Sequence, residues 1–78
     1  MKFIGNKTYE ATQKELDALP SIYEIPQDYE PSEGDMFRGQ STADQSPMII
    51  RYYYHPLNFA SSGLAEQWFR VKIVKEEN

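Results

Sequence analysis

The chain has 78 residues, no cysteine, and a formal net charge of −4 at pH 7 from 12 acidic and 8 basic side chains. This length allows a single small domain, 1–78, because domains typically hold about 100 to 150 residues, and the lack of cysteine excludes a disulfide scaffold. No apolar run approaches the ~18 residues of a membrane-spanning helix, and the first residues lack the apolar core of a secretory signal. We therefore expect a cytoplasmic protein that does not contact a membrane.

The N-terminal third predicts a β-hairpin followed by a short helix. Gly5-Asn6 separates two short extended segments, which is typical of a two-residue turn with glycine at its first position; a single bulged strand is the alternative. Thr12 and Glu15 have the spacing of a capping box, in which each side chain accepts from the backbone amide of the other. The pattern predicts a helix over 13–19, which Pro20 ends.

The middle of the chain predicts extended and irregular structure. Residues 21–25 lie between two prolines, which suits an edge strand or a polyproline segment. Residues 28–47 are rich in Ser, Gln, Asp, Glu, Gly and Pro. We expect a long loop over 28–47, and loops of this length in small domains are usually functional or disordered.

Two C-terminal segments give the clearest strand signals. Residues 48–55 and 68–75 are rich in aromatic and β-branched side chains, and antiparallel pairing is the simplest arrangement. We expect a short helical turn within 61–66. Period-two alternation predicts an apolar face that combines Met48, Ile50, Tyr52, Tyr54, Phe69, Val71 and Ile73. The opposite face then holds Ile49, Arg51, Tyr53, His55, Trp68, Arg70, Lys72 and Val74.

These elements together predict a small α+β domain. Its antiparallel β-sheet is accompanied by one short N-terminal helix. A small barrel of the SH3 type, with the helix as an insertion, is the alternative.

The sequence gives little support for catalysis. His55 is the only histidine, and there is no Walker loop, GxSxG or HExxH motif. The carboxylates of 28–35 do not follow the spacing of an EF-hand, so we expect a solvated acidic loop there and not a metal site. We predict a protein that is not an enzyme and that uses no metal or cofactor.

The charges are unevenly distributed along the chain. Residues 8–35 carry eight acidic side chains and one Lys, whereas residues 45–75 carry four basic side chains and one Glu. Tyrosines within the acidic part offer contact area with a polar tip, which suits docking on a basic surface of another protein. The alternative is a solvated face that keeps the protein soluble or neutralises its own basic sheet. The candidate partner-binding residues are Tyr23, Asp28, Tyr29, Glu30, Glu33 and Asp35.

A second candidate surface is the predicted sheet face that holds Arg51, Tyr53, Trp68 and Arg70. Aromatic residues alternating with cations can stack bases and hold phosphates, but a net charge of −4 repels a polyanion and argues against nucleic acid. The same residues could form a homodimer interface, because a small domain with a thin core often completes it with a second copy.

From these observations we favour a non-enzymatic interaction protein. A small, acidic, cysteine-free chain is typical of the inhibitors or adaptors that phages and mobile elements produce, and it would occupy a partner's basic surface. The alternatives are a single-stranded nucleic-acid-binding protein and a structural component of a larger assembly.

Overall fold

A computed structural model describes residues 1–54 and 64–76. Its strands are β1 (Lys2–Gly5), β2 (Thr8–Thr12), β3 (Met36–Gln40), β4 (Pro47–Tyr54) and β5 (Leu64–Val74), its helix is α1 (Gln13–Ala18), and a 3₁₀ turn spans Ile22–Glu24. The five strands form one sheet in the order β1-β2-β5-β4-β3. This confirms the small α+β domain. The sheet is mixed and not purely antiparallel as expected, because β2 and β5 are parallel. Its described strands end in edges at β1 and β3 instead of closing into a barrel.

β1 and β2 form the predicted hairpin, but its turn lies one residue further along the chain. Gly5 pairs with Thr8, so Asn6 and Lys7 are the turn residues, and both have φ of 50°. Positive φ at both central positions is the type I′ pattern, whereas we expected glycine at the first of them. The register shifts between Phe3 and Gly5, so Ile4 has no partner residue in β2, and Gly5 beside it has φ of 95°, a conformation that glycine adopts without strain.

The capping box of α1 is formed as predicted. The Thr12 hydroxyl accepts from the Glu15 amide at 3.1 Å, and the Thr12 amide donates to the Glu15 carboxylate at 3.0 Å. The helix ends before Leu19, whose backbone is extended ahead of Pro20. Leu16 is the buried residue of this helix and is 1% exposed. No helix in the two described ranges is long and apolar enough to cross a membrane.

The structure corrects two expectations for the middle of the chain. Residues 21–25 were expected to be extended, but the 3₁₀ turn lies within them, and Ser21 caps it by accepting from the Tyr23 amide. Residues 28–47 were expected to form one long loop, but β3 divides them into two shorter ones. β3 has too few apolar residues for its pattern to predict a strand. Pairing with β4 stabilises it instead.

β4 and β5 pair antiparallel as predicted, but in a register that combines their faces differently. Ile49 lies opposite Phe69, and Ile50 lies opposite Trp68. Directly opposed residues share a face, so Phe69 belongs with Ile49 and not, as expected, with Ile50. The helical turn expected within 61–66 is replaced at 64–66 by the start of β5, and residues 61–63 and His55 lie outside the described residues.

The sheet buries apolar side chains on both faces. On the face that α1 covers, which we call the helix face, Leu16 packs with Ile49 and Phe69. The sheet residues of the helix face include Tyr9, Ala11, Met36, Arg38, Ile49, Arg51, Tyr53, Gln67, Phe69 and Val71. Full burial of a side chain such as Leu16 or Ile49 contributes about 1.5–3 kcal/mol, and this contact holds the two-turn helix in place.

The opposite face, which we call the loop face, is covered in part by the chain between α1 and β3. Its sheet residues include Phe37, Gly39, Met48, Ile50, Tyr52, Glu66, Trp68, Arg70 and Lys72. The rings of Tyr29 and Tyr52 pack edge-on against Phe37, with ring centroids 5.8 and 5.7 Å apart. Ile50 is fully buried at this face, so the sheet has an apolar layer on each side.

Candidate protein-interaction surfaces

The segment 23–35, which holds the predicted partner-binding residues, leaves the edge of β3 and crosses the loop face. At the edge, the Arg38 amide donates to the Pro20 carbonyl at 2.8 Å. The Gln40 amide donates to the Tyr23 hydroxyl at 3.2 Å, and this hydroxyl donates to the Gln40 carbonyl at 3.4 Å. These contacts satisfy outward-facing backbone groups of β3, which protects an edge strand from pairing with another chain.

Asp35 organises the loop that carries the acidic residues. Its carboxylate accepts from the Ser32 amide at 2.8 Å and from the Tyr29 hydroxyl at 2.7 Å. The hydrogen bond from Ser32 and then that from Tyr29 lower the pKa of Asp35, and the same contact with Asp35 raises the pKa of Tyr29. The Asp35 carboxylate therefore holds its own loop together through these two hydrogen bonds, which makes it less available to a partner than the sequence implied.

The remaining carboxylates of the segment lie at the protein surface. They belong to Glu24, Asp28, Glu30 and Glu33, all of which are exposed. The Glu33 carboxylate accepts from the Tyr54 amide at 3.3 Å. The ion pairs of the described residues join the amino group of Met1 to Glu15 and Lys14 to Glu76, so none of them neutralises the acidic segment. The alternative in which this segment neutralises the basic sheet through ion pairs is not seen in the described part of the chain.

Five of the six predicted partner-binding residues are therefore exposed on one segment, and the sixth, Asp35, is half-buried. Sequence reasoning did not include Glu24 among them. The sequence feature that could have indicated Glu24 is its position next to Tyr23. The 3₁₀ turn exposes both side chains. Within the described residues, no group of three or more acidic or histidine side chains is arranged to hold a metal ion.

The four residues of the second predicted surface do not share a face. Arg51 lies opposite Gln67 and, with Tyr53, belongs to the helix face, whereas Trp68 and Arg70 belong to the loop face. Successive residues of a strand alternate between faces, so a register one residue away from the expected one separates the set. The predicted platform of alternating cations and rings is thus divided into two pairs on opposite sides of the sheet.

An open pocket lies on the helix face of the sheet. It has a volume of about 440 Å³ and is lined by Phe3, Tyr9, Arg51, Gln67 and Phe69. The rings of Phe3, Tyr9 and Phe69 meet edge-on, with centroid distances of 5.5, 5.8 and 4.9 Å. The sequence did not indicate this pocket, because its residues come from four strands whose order and register depend on tertiary pairing.

No family model, curated protein or solved structure matches this chain.

Proposed function

We propose that the chain is a non-enzymatic protein-binding module, an inhibitor or adaptor that occupies a basic surface of a partner protein. The observation that carries the proposal is the exposed acidic segment, whose carboxylates have no basic side chain within ion-pair distance among the described residues. Carboxylates that form no ion pair with the described residues are available to Lys and Arg of a partner. Complementary charges of this kind steer association and select partners.

The two tyrosines of the segment add apolar contact area. Tyr23 is 65% exposed and Tyr29 is 43% exposed. Each is held in place, Tyr23 by its hydrogen bonds to Gln40 and Tyr29 by Asp35 and the ring of Phe37. A side chain that is already positioned loses less conformational entropy on binding, and tyrosine is enriched at interfaces. These features support a docking surface formed before the partner arrives.

The mechanism that we propose is steric and electrostatic. The acidic segment meets a basic groove of the partner and blocks it, while the sheet beneath supplies rigidity. A small acidic chain of this type fits a phage or mobile-element product directed at a host protein. The absence of cysteine suits the reducing cytoplasm, where we place this function.

The first experiment is capture of the partner by the immobilised chain from a lysate of its host, followed by mass spectrometry. The partner's affinity is then measured at low and high salt for two variants of equal charge. Asp28→Lys/Glu30→Lys reverses two exposed carboxylates of the segment, and Asp17→Lys/Glu76→Lys reverses two exposed ones outside it.

We expect the first variant to bind more weakly and with a flatter salt dependence, whereas the second binds like the original chain. Equal losses of affinity in both variants would show that only the net charge of the chain matters. Unchanged affinity in the first variant would show that the acidic segment does not contact the partner.

The two alternative functions have separate tests. For single-stranded nucleic acid, Trp68 and Arg70 still share the loop face with Lys72, so a titration at low salt should quench Trp68 fluorescence if bases stack there. Absence of quenching would remove that function. For a homodimer or a structural component of an assembly, the measured mass should rise with protein concentration.

A further inference from the structure

The pocket on the helix face contains a cation without an anionic partner among the described residues. Arg51 is half-buried and lines this pocket of about 440 Å³. Its guanidinium group makes no hydrogen bond or ion pair within residues 1–54 and 64–76. Residues 55–63 contain no Asp or Glu, so that connection supplies no carboxylate to Arg51.

The surroundings of Arg51 indicate what kind of anion it would bind. A guanidinium presents a planar fork of donors that matches a carboxylate with two parallel hydrogen bonds. The donors of Arg51 form no ion pair with the described residues, so an incoming carboxylate can bind them without displacing an existing ionic partner. A single cation in a chain of net charge −4 suits a monoanion better than a phosphate or a polyanion.

The other residues of the pocket define the apolar part of the ligand. Phe3 is 53% exposed, and its ring lies beside those of Tyr9 and Phe69. These rings form a wall on which a further aromatic ring can pack edge-on or offset, the arrangements that aromatic pairs prefer. Gln67 lies directly opposite Arg51 across the β4–β5 pair, and its side-chain amide can donate to the same carboxylate.

We infer that this pocket binds an acidic side chain that lies next to an aromatic side chain on a peptide segment of a protein partner. Arg51 would hold the carboxylate, and Phe3 would contact the ring. A peptide fits better than a free small molecule because the pocket is open, and sites for small molecules usually bury about 70–90% of the ligand surface. The pocket is on the opposite face from the Tyr29–Phe37 contact, so this site is separate from the acidic segment and does not depend on the proposed function.

The test uses two dipeptides of the same shape, N-acetyl-Phe-Asp-amide and N-acetyl-Phe-Asn-amide, in which a carboxylate is replaced by a neutral carboxamide. Binding is followed by NMR through the Nε–Hε signal of Arg51 and the side-chain amide of Gln67. We expect both signals to shift with the Asp peptide, while Arg70 on the loop face does not respond. Charge-assisted hydrogen bonds are stronger than neutral ones, so the Asn peptide should bind about tenfold more weakly.

Three variants make the result specific to Arg51. Arg51→Gln should reduce binding of the Asp peptide to that of the Asn peptide, and Arg70→Gln is the matched control that should leave it unchanged. Gln67→Glu keeps Arg51 but places a competing carboxylate opposite it. This variant should therefore also weaken binding of the Asp peptide. Gln67→Glu decides the question if Arg51→Gln does not fold.

Equal affinity for the two dipeptides would overturn the inference, since the carboxylate would then contribute nothing. Tighter binding of phenylacetate than of the Asp peptide would also overturn it, because the site would then select a small aromatic acid and not a peptide.

Discussion

Gly39 lies in the middle of β3, where any side chain would collide with the apolar layer of the loop face. A Cβ atom at this position would be 2.5 Å from Cδ1 of Ile50 and 3.0 Å from Cζ3 of Trp68. The backbone of Gly39 is not in the left-handed region that favours glycine. An alanine is therefore allowed by the backbone, and the effect of Gly39→Ala is steric.

Two opposing contributions decide the free energy of unfolding of Gly39→Ala. Replacing glycine by alanine inside a strand ordinarily stabilises by about 0.5–1 kcal/mol, whereas overpacking a core costs about 1–3 kcal/mol. Cδ1 of Ile50 is the end of a flexible side chain, but Ile50 is fully buried and the neighbouring indole ring of Trp68 is rigid. We therefore expect the collision to dominate, with a net loss of about 0.5–2 kcal/mol. Each kcal/mol lowers Tm by about 4–8 °C for a domain of this size.

The assay is thermal and denaturant unfolding followed by the fluorescence of Trp68, which is the single tryptophan. Gly39→Ala should lower Tm and change the native emission, because its methyl group touches the indole ring. Gly34→Ala is the control: Gly34 has φ of 92° and nothing lies within 4 Å of an added Cβ. It should destabilise through backbone strain alone and leave the emission unchanged. If Gly39→Ala is as stable as the original chain and its emission is unaltered, the packing of Trp68 and Ile50 on Gly39 is refuted.

Three further predictions concern local interactions. Thr12→Ala removes the capping box and should cost about 1 kcal/mol of stability, measured by denaturant unfolding, whereas Thr12→Ser should retain most of it. In the folded protein the pKa of Asp35 lies below its ordinary value of 3.8. Ionised Asp35 therefore stabilises the folded state fully above pH 3.8, and this stabilisation is lost as the pH falls through the pKa of the folded protein. An NMR titration of the Asp35 carboxyl carbon should show this, and a midpoint at or above the ordinary value would contradict it. Nζ of Lys14 and Oε1 of Glu76 are 3.9 Å apart, and their side chains are 80% and 53% exposed. Because solvent screens such a pair, Lys14→Ala should change the free energy of unfolding by less than about 0.5 kcal/mol. A larger loss would contradict the assignment of this pair as solvent-screened.

Short-range signals in the sequence determined the elements that depend on residues close together in the chain. The capping box at Thr12 and Pro20 set the ends of α1 within one residue, because both act through hydrogen bonds or steric contacts with residues only a few positions away. The N-terminal hairpin and the antiparallel pairing of β4 with β5 were likewise predictable from turn residues and strand composition. The concentration of exposed acidic residues in 23–35 was also visible in the sequence.

Tertiary structure decided β3, the strand register and the composition of each face. β3 contains Gly39, which disfavours a strand locally, so hydrogen bonds to β4 and contacts with the loop face stabilise it. Register is set by the packing of both faces, and a shift of one residue moves every side chain to the other side. Because both faces of β4 and β5 carry aromatic and apolar residues, alternation did not identify which residues share a face. The register observed in the sheet separates Arg51 from Trp68 and creates the helix-face pocket.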